Sequence, residues 1–204
     1  MLSSLAFLSS PLLLSTEWTD YRRLITIGLG FSLLGDFFLI PSHSEFHDLN
    51  TTPSANSEAK SEGNVSISFQ LGIVAFAAAH IAYTIAFLQD SSDTSWMTFA
   101  VTFSLRNNVL GLAIAPDMKP LVSVYAVIIG TMFAAATSTS PLTVPTEWWH
   151  SRALGAAMFV VSDLFVAKNA FGRSSAKGRG WLRIFVGYAL YFWAQMVIAG
   201  TVRA

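Results

Sequence analysis

Two aspartates lie inside long apolar runs of this sequence. Asp36 stands in the run from 31 to 40, and Asp163 stands in the run from 159 to 167. A carboxylate buried in apolar surroundings is costly unless it is paired, hydrogen-bonded or protonated. Two carboxyl groups in one apolar layer repel each other when both are charged, so one of them is expected to keep its proton. Such a pair can supply an acid and a base, and we predict that Asp36 and Asp163 form the functional site.

The sequence around one aspartate resembles the sequence around the other. Each has a glycine two turns earlier, a small residue directly before it and an aromatic residue two positions later. The matching positions are Gly28 and Gly155, Gly35 and Ser162, and Phe38 and Phe165. This similarity favours a shared role for the two segments, although short apolar matches also arise by chance.

The histidines give little support for a metal site. His43 and His47 are four residues apart, but they follow Pro41 in a polar segment that reads as a solvated loop. A zinc hydrolase normally needs three protein ligands and an open position, and the chain has only four histidines. We therefore predict neither a metal nor another cofactor. His80 lies in an apolar run and is either a hydrogen-bonded packing residue or a proton relay.

Motifs for covalent catalysis and nucleotide binding are also missing from the sequence. Ser32 and Ser162 lie near the aspartates, but no Ser-His-Asp order or nucleophile elbow surrounds them. The segment 178–180 is too short to be a phosphate-binding glycine loop. The chain has no cysteine, which excludes thiolate nucleophiles, disulfides and cysteine metal sites.

The composition predicts an integral membrane protein of one domain. Of the 204 residues, 53% are hydrophobic and only 12% are charged, whereas roughly a quarter of the residues in a soluble domain are charged. The 16 Phe and 6 Trp suit contact with lipid, so the bilayer is the expected partner. The formal net charge is zero, which gives no general attraction to nucleic acid.

Apolar runs of this length predict an all-α bundle of transmembrane helices, because backbone polar groups in lipid must be satisfied internally. The first run is short for a crossing and lacks a signal-peptide pattern, so we interpret it as the remnant of a longer helix or as a truncated start. The fourth is interrupted at 106–108 and predicts either two half-helices or one helix with a polar face. A flexible polar loop is predicted at 41–66. The seven predicted helices are approximately 2–15, 24–40, 67–88, 96–115, 120–137, 152–170 and 182–202.

The most basic segment, 168–183, predicts the cytosolic side of the membrane. Its five basic residues could also attract anionic lipid headgroups near the entrance to a site. With a rise of ~1.5 Å per residue, Asp36 and Asp163 both fall close to this side. The predicted polar layer contains Asp36, Gln70, Tyr125, Ser162, Asp163 and Tyr188, with His80, Tyr83 and Gln195 deeper.

Five segments resemble, in order, the YhhN/TMEM86 family of multi-pass membrane proteins. The resemblance covers about residues 20–203. This chain departs from the family in two places. It starts late, since members are usually drawn with eight helices, and it has the long loop 41–66. The five segments are 31–39 around Asp36, 76–83 around His80, 125–130 led by Tyr125, 155–171 around Asp163, and 188–195 from Tyr188 to Gln195.

The resemblance implies a lysoplasmalogenase, which hydrolyses the vinyl-ether bond of a lysophospholipid. Protonation of the distal alkene carbon gives an oxocarbenium ion, and water then adds. One aspartate would be the acid and the other the stabilising base, an assignment that the sequence leaves open. Tyr125, Tyr188 and His80 could orient water or bind the headgroup, with Gln70 and Ser162 as further supporting residues. An internal membrane, such as the endoplasmic reticulum of a eukaryote, is the expected location.

Two other functions fit the same residues. A transporter or a proton or cation pathway could use the two aspartates as an ion site between related segments. A non-enzymatic protein could bind lysolipids in the same pocket. Product formation without an ion gradient separates the enzyme from both.

Overall fold

A computed structural model describes seven α-helices and a closing 3₁₀ turn. It covers residues 2–13, 17–40, 67–91, 94–110, 119–140, 151–171 and 181–203. Each predicted helix is confirmed near its expected place, and the fourth is one continuous helix over the residues described, not two halves. The elements are α1 Leu2–Leu13, α2 Asp20–Phe38, α3 Ile67–Asp90, α4 Trp96–Leu110, α5 Lys119–Ser138, α6 Arg152–Phe171, α7 Trp181–Gly200 and the turn Thr201–Arg203.

The start of α2 illustrates how local sequence sets a boundary. Thr19 is the N-cap, and its hydroxyl accepts a hydrogen bond from the backbone N–H of Arg22 at 3.2 Å. Asp20 follows in the first turn, where a negative charge is favourable beside the helix dipole. These two residues extend the helix four positions before the predicted start at 24.

The helices enclose one core. α2 packs along α3, and α6 packs along α7. α5 joins these pairs by contacting both α3 and α6, and it carries α4 on its outer side. α1 lies against α2 and α7, which also touch each other. Residues from the two aspartate-bearing helices, α2 and α6, therefore face a shared interior.

Apolar surface and buried polar groups agree with a membrane protein. Two helices, Ile67–Asp90 and Pro120–Ser138, are long and apolar enough to cross a membrane. Large apolar side chains point outward, such as Ile27, Phe31 and Leu34 along α2. The interior is mainly apolar and also holds polar side chains, among them Arg22, Ser32, His80, Ser162 and Gln195.

Small residues allow close packing in the two helix pairs with the most extensive contact, α2 with α3 and α6 with α7. A Cβ atom added at Gly35 would lie 2.7 Å from the ring of Phe76 on α3. One added at Gly155 would lie 2.8 Å from the Ile198 side chain on α7. Since association in lipid depends on close van der Waals contact, these glycines set the approach of α2 to α3 and of α6 to α7.

A buried arginine fastens α1 to α2. The Arg22 side chain is only 2% exposed, and its Nε donates to the carbonyl of Pro11 at 2.8 Å. Its guanidinium also donates to the carbonyl of Glu17 at 3.3 Å and stacks over the ring of Trp18 at 4.3 Å. Pro11 lies in the last turn of α1, where carbonyls lack partners within the helix. Arg22 therefore fixes this end of α1 against α2.

A second group of polar contacts ties together the opening of α6, the end of α3 and the start of α2. Arg152 forms an ion pair with Asp90, and its guanidinium lies 4.7 Å from the centre of the Tyr21 ring. The Tyr21 hydroxyl is 2.6 Å from that of Thr201 in the closing turn. These contacts hold the bundle together at the end remote from Asp36.

Candidate functional site

Asp36 lies in the last turn of α2 and is bonded by a hydroxyl group from α1. Ser4 Oγ of α1 donates to Asp36 Oδ2 at 2.5 Å. The Tyr191 hydroxyl of α7 lies near the same carboxylate but outside hydrogen-bonding geometry. The carboxylate is therefore placed where α1, α2 and α7 meet.

The Tyr191 hydroxyl is itself fixed by a chain of buried polar groups. Gln195 Nε2 donates to Tyr191 Oη at 3.0 Å, and these residues are one turn apart on α7. Tyr83 Oη of α3 donates to Gln195 Oε1 at 3.1 Å. Ser32 Oγ of α2 lies 3.4 Å from the Tyr83 hydroxyl. Because each member is satisfied by the next, the chain orients Tyr191 towards Asp36.

Asp163 has a simpler environment in the middle of α6. Tyr125 Oη of α5 donates to Asp163 Oδ2 at 2.5 Å. The neighbouring Ser162 points elsewhere, because its Oγ donates to the carbonyl of Gly187 on α7 at 3.0 Å. Tyr125 thus holds the carboxyl group, while Ser162 joins α6 to α7.

Aromatic contacts connect the surroundings of the two aspartates. The Tyr191 hydroxyl lies near Asp36, and ring contacts lead from Tyr191 through Phe159 and His80 to Tyr125, the partner of Asp163. The Tyr191 ring packs edge-on against Phe159 of α6, with ring centres 5.8 Å apart. The two carboxyl groups therefore belong to one continuous cluster of hydroxyl and aromatic side chains.

His80 lies at the centre of this cluster, enclosed by aromatic rings. It is 1% exposed, and its ring centre lies 5.7 Å from that of Tyr125 and 5.2 Å from that of Phe159. Neither ring nitrogen makes a hydrogen bond with the described residues; the Phe76 carbonyl is near but outside hydrogen-bonding geometry. An imidazole buried without partners is unusual, because burying a polar group without a hydrogen bond is costly.

A narrow crevice lies between α1, α2 and α7, next to Ser4 and Tyr191. Its lining combines hydroxyl and amide groups with apolar side chains, and it is too narrow for a water molecule in this conformation. The lining residues are Ser4, Phe7, Leu29, Ser32, Leu33, Tyr191 and Gln195.

The structure bonds two members of the predicted layer to each other, Tyr125 and Asp163. Tyr83, His80 and Gln195 are buried in the interior. Tyr188 is 61% exposed on the outer face of α7, and Gln70 is exposed on α3.

Several other predictions fall outside the part of the chain that the structure describes. These are the loop 41–66 with its two histidines, and the basic side chains of 168–183. Across the described residues, no three histidine or carboxylate side chains come together in a group that could hold a metal ion.

Two members of the cluster were missed by reasoning from the sequence. Tyr191 lies four residues before Gln195, a spacing that puts both on one helix face and could have indicated it. Ser4 has no comparable signal, because a serine in an apolar helix usually bonds to its own backbone. Only the packing of α1 on α2 shows its contact with Asp36.

Comparison with known proteins agrees with the helical, membrane-like character of the chain. A family model described as the YhhN family matches residues 1–202. This match spans all seven helices and both aspartate segments. No solved structure matches the chain.

Proposed function

This chain belongs to the YhhN family, and on that basis we propose that it is a membrane hydrolase that cleaves the vinyl-ether bond of lysoplasmalogens. The products are a fatty aldehyde and glycerophosphoethanolamine or glycerophosphocholine. The proposal depends above all on two hydrogen-bonded carboxyl groups, Asp36 held by Ser4 and Asp163 held by Tyr125, inside an apolar bundle.

The reaction matches what two buried carboxyl groups can do. An acid protonates the alkene carbon distal to the ether oxygen, which leaves an oxocarbenium ion at the carbon bonded to oxygen. A carboxylate stabilises this cation and accepts a proton from the water that adds to it. The resulting hemiacetal collapses, the carbon–oxygen bond to glycerol breaks, and aldehyde and alcohol leave. No covalent intermediate with the protein is needed.

The different partners of the two aspartates suggest their roles. Asp36 accepts a hydrogen bond from Ser4 and has the Tyr191 hydroxyl nearby, and such donors favour a charged carboxylate. Among the described residues, Asp163 has one hydroxyl partner, Tyr125, on Oδ2, which leaves its other oxygen to carry a proton. In this proposal Asp163 is the acid, and Asp36 is the carboxylate that stabilises the cation and activates water.

The lipid substrate would approach from the bilayer with its alkenyl chain along the apolar side of the crevice. Phe7, Leu29 and Leu33 line that side, and Ser32 and Gln195 line the polar side. Since the crevice is closed to water in this conformation, entry requires a small separation of α1 from α7. We assign the enzyme to an internal membrane, which microscopy of a tagged chain would check.

The direct test is aldehyde release by detergent-purified protein from a defined lysoplasmalogen. The matched control substrate is the lysophospholipid with a saturated ether chain, which has no alkene to protonate. We expect aldehyde from the vinyl ether only. A well-folded protein that releases none would contradict the proposal.

The same preparation distinguishes the two competing functions. Proton or cation flux into liposomes that is lost in Asp36→Asn, without aldehyde formation, would favour a transport pathway. Saturable lysolipid binding with neither flux nor product would favour a binding protein.

A further inference from the structure

The first helix contributes a side chain directly to the acidic site. Ser4 is 5% exposed, and its hydroxyl reaches across to the Asp36 carboxylate on α2 at 2.5 Å. The other α1 serine with a described hydrogen bond behaves differently, because Ser9 Oγ donates to the Ala6 carbonyl within the same helix at 2.7 Å. A serine in an apolar helix can be satisfied locally in this way. The contact of Ser4 with a carboxylate is therefore a specific arrangement.

We propose that Ser4 is a positioning residue for the Asp36 carboxylate, and that α1 is thereby part of the active site. The role rests on the proposed hydrolase function. It adds a residue that carries no motif and touches no reacting atom in the mechanism given above.

The position of Asp36 explains why it needs a hydrogen-bond donor from another helix. It lies in the last turn of α2, where the negative end of the helix dipole opposes a charged carboxylate. Ser4 of α1 donates directly to the carboxylate, and the Tyr191 hydroxyl of α7 lies nearby. Without the Ser4 hydroxyl, the carboxylate loses this hydrogen bond and can rotate away from the reacting carbon.

The rest of α1 is arranged to keep Ser4 in place. Phe7 packs its ring against Phe192 of α7, with ring centres 6.0 Å apart. Arg22 binds the Pro11 carbonyl at the C-terminal end of the helix. The middle and the C-terminal end of α1 are thus fixed to α7 and α2, which border the Asp36 site.

The kinetic test compares Ser4→Thr with Ser4→Val. These side chains have the same shape, so any steric strain is shared, and only the hydroxyl differs. Loss of one hydrogen bond to a charged group predicts a kcat for Ser4→Val roughly 10- to 100-fold below that of Ser4→Thr. The comparison is made on kcat, because Ser4 also lines the crevice proposed for the lipid and its substitution can change KM as well. Ser9→Ala is the matched control and should retain wild-type kcat.

A second measurement does not depend on activity. The melting temperatures of Ser4→Thr and Ser4→Val are compared in the wild-type background and in Asp36→Ala. We expect Ser4→Val to melt lower only when Asp36 is present, since the hydroxyl then has its partner. Equal melting temperatures in the wild-type background would overturn the contact, and equal kcat values in an active protein would overturn the positioning role. Absence of aldehyde release by wild-type protein would overturn the hydrolase and the catalytic role of Ser4 together, even with the melting difference intact.

Discussion

Asp36 and Asp163 occupy different places in their helices and meet different partners. Asp36 lies in the last turn of α2, where Ser4 of α1 donates to it and the Tyr191 hydroxyl of α7 lies nearby. Asp163 lies more than two turns before the end of α6 and is bonded by Tyr125 of α5. One carboxyl group is thus bonded by a serine at the end of its own helix, and the other is bonded by a tyrosine in the middle of its helix.

The residue directly before each aspartate shows what the repeated sequence encodes. Gly35 leaves room for the Phe76 ring on α3, and Ser162 bonds to the Gly187 carbonyl on α7. Both positions bring a neighbouring helix close. Gly35 does so because it has no side chain, and Ser162 does so through its hydrogen bond. The repeat therefore sets helix packing, whereas the partners of the carboxyl groups come from helices outside it.

The largest effect is expected from removing either carboxyl group. Asp36→Asn and Asp163→Asn keep the side-chain shape but cannot exchange a proton in the same way, so we expect aldehyde release to fall by roughly 10²- to 10⁴-fold in each. Unchanged melting temperatures would show that folding is intact. If either variant kept half of the wild-type rate, the paired mechanism would be wrong.

The two tyrosine partners should differ in their effects. Tyr125→Phe removes the hydroxyl partner described for Asp163, whereas after Tyr191→Phe the carboxylate of Asp36 still has Ser4. We expect kcat to fall roughly 10- to 100-fold in Tyr125→Phe and less in Tyr191→Phe.

The pH dependence of the same two variants tests the assigned roles. Tyr125→Phe should change the alkaline limb of the kcat profile, where the acid loses its proton. Tyr191→Phe should change the acidic limb, where the base gains one. If Tyr125→Phe instead changed the acidic limb and Tyr191→Phe changed the alkaline limb, Asp36 would be the acid and Asp163 the base.

A smaller effect, on stability, is expected at the glycine before the first aspartate. The added methyl of Gly35→Ala would meet the Phe76 ring at 2.7 Å, which we expect to cost about 1–3 kcal/mol. Gly30→Ala in the same helix is the control, because an added Cβ there has no neighbour within 4 Å. Thermal unfolding in detergent measures both. Equal stability of the two variants would show that α2 and α3 can separate without loss.

The smallest effect is expected at Tyr188. It lies on the outer face of α7, and Tyr188→Phe should leave kcat and KM within about twofold of wild type. A loss comparable to that of Tyr125→Phe would mean that Tyr188 enters the site in another conformation of the bundle.

The helices could be predicted from the sequence because lipid allows few alternatives. Apolar runs of sufficient length must satisfy their backbone internally, and this requirement located all seven helices. The start of α2 was placed late because the capping residues Thr19 and Asp20 are polar and lie outside the apolar run.

The grouping of side chains was harder to predict than the helices. Counting residues from the helix ends predicted a similar membrane depth for Tyr188 and Tyr125. Such a count does not show which face of a helix points inward. Tyr125 faces Asp163, whereas Tyr188 faces outward. Ser4 depends on the packing of α1, which no local pattern indicates.

The mass of the aldehyde formed in D₂O tests the central claim most directly. Protonation of the distal alkene carbon by an acid places one solvent-derived hydrogen on the carbon next to the carbonyl. We therefore predict an aldehyde with one deuterium at that carbon, produced by wild-type protein and lost in Asp36→Asn and Asp163→Asn. Aldehyde incubated alone in D₂O corrects for spontaneous exchange. An aldehyde without deuterium, or none at all from folded protein, would contradict the account.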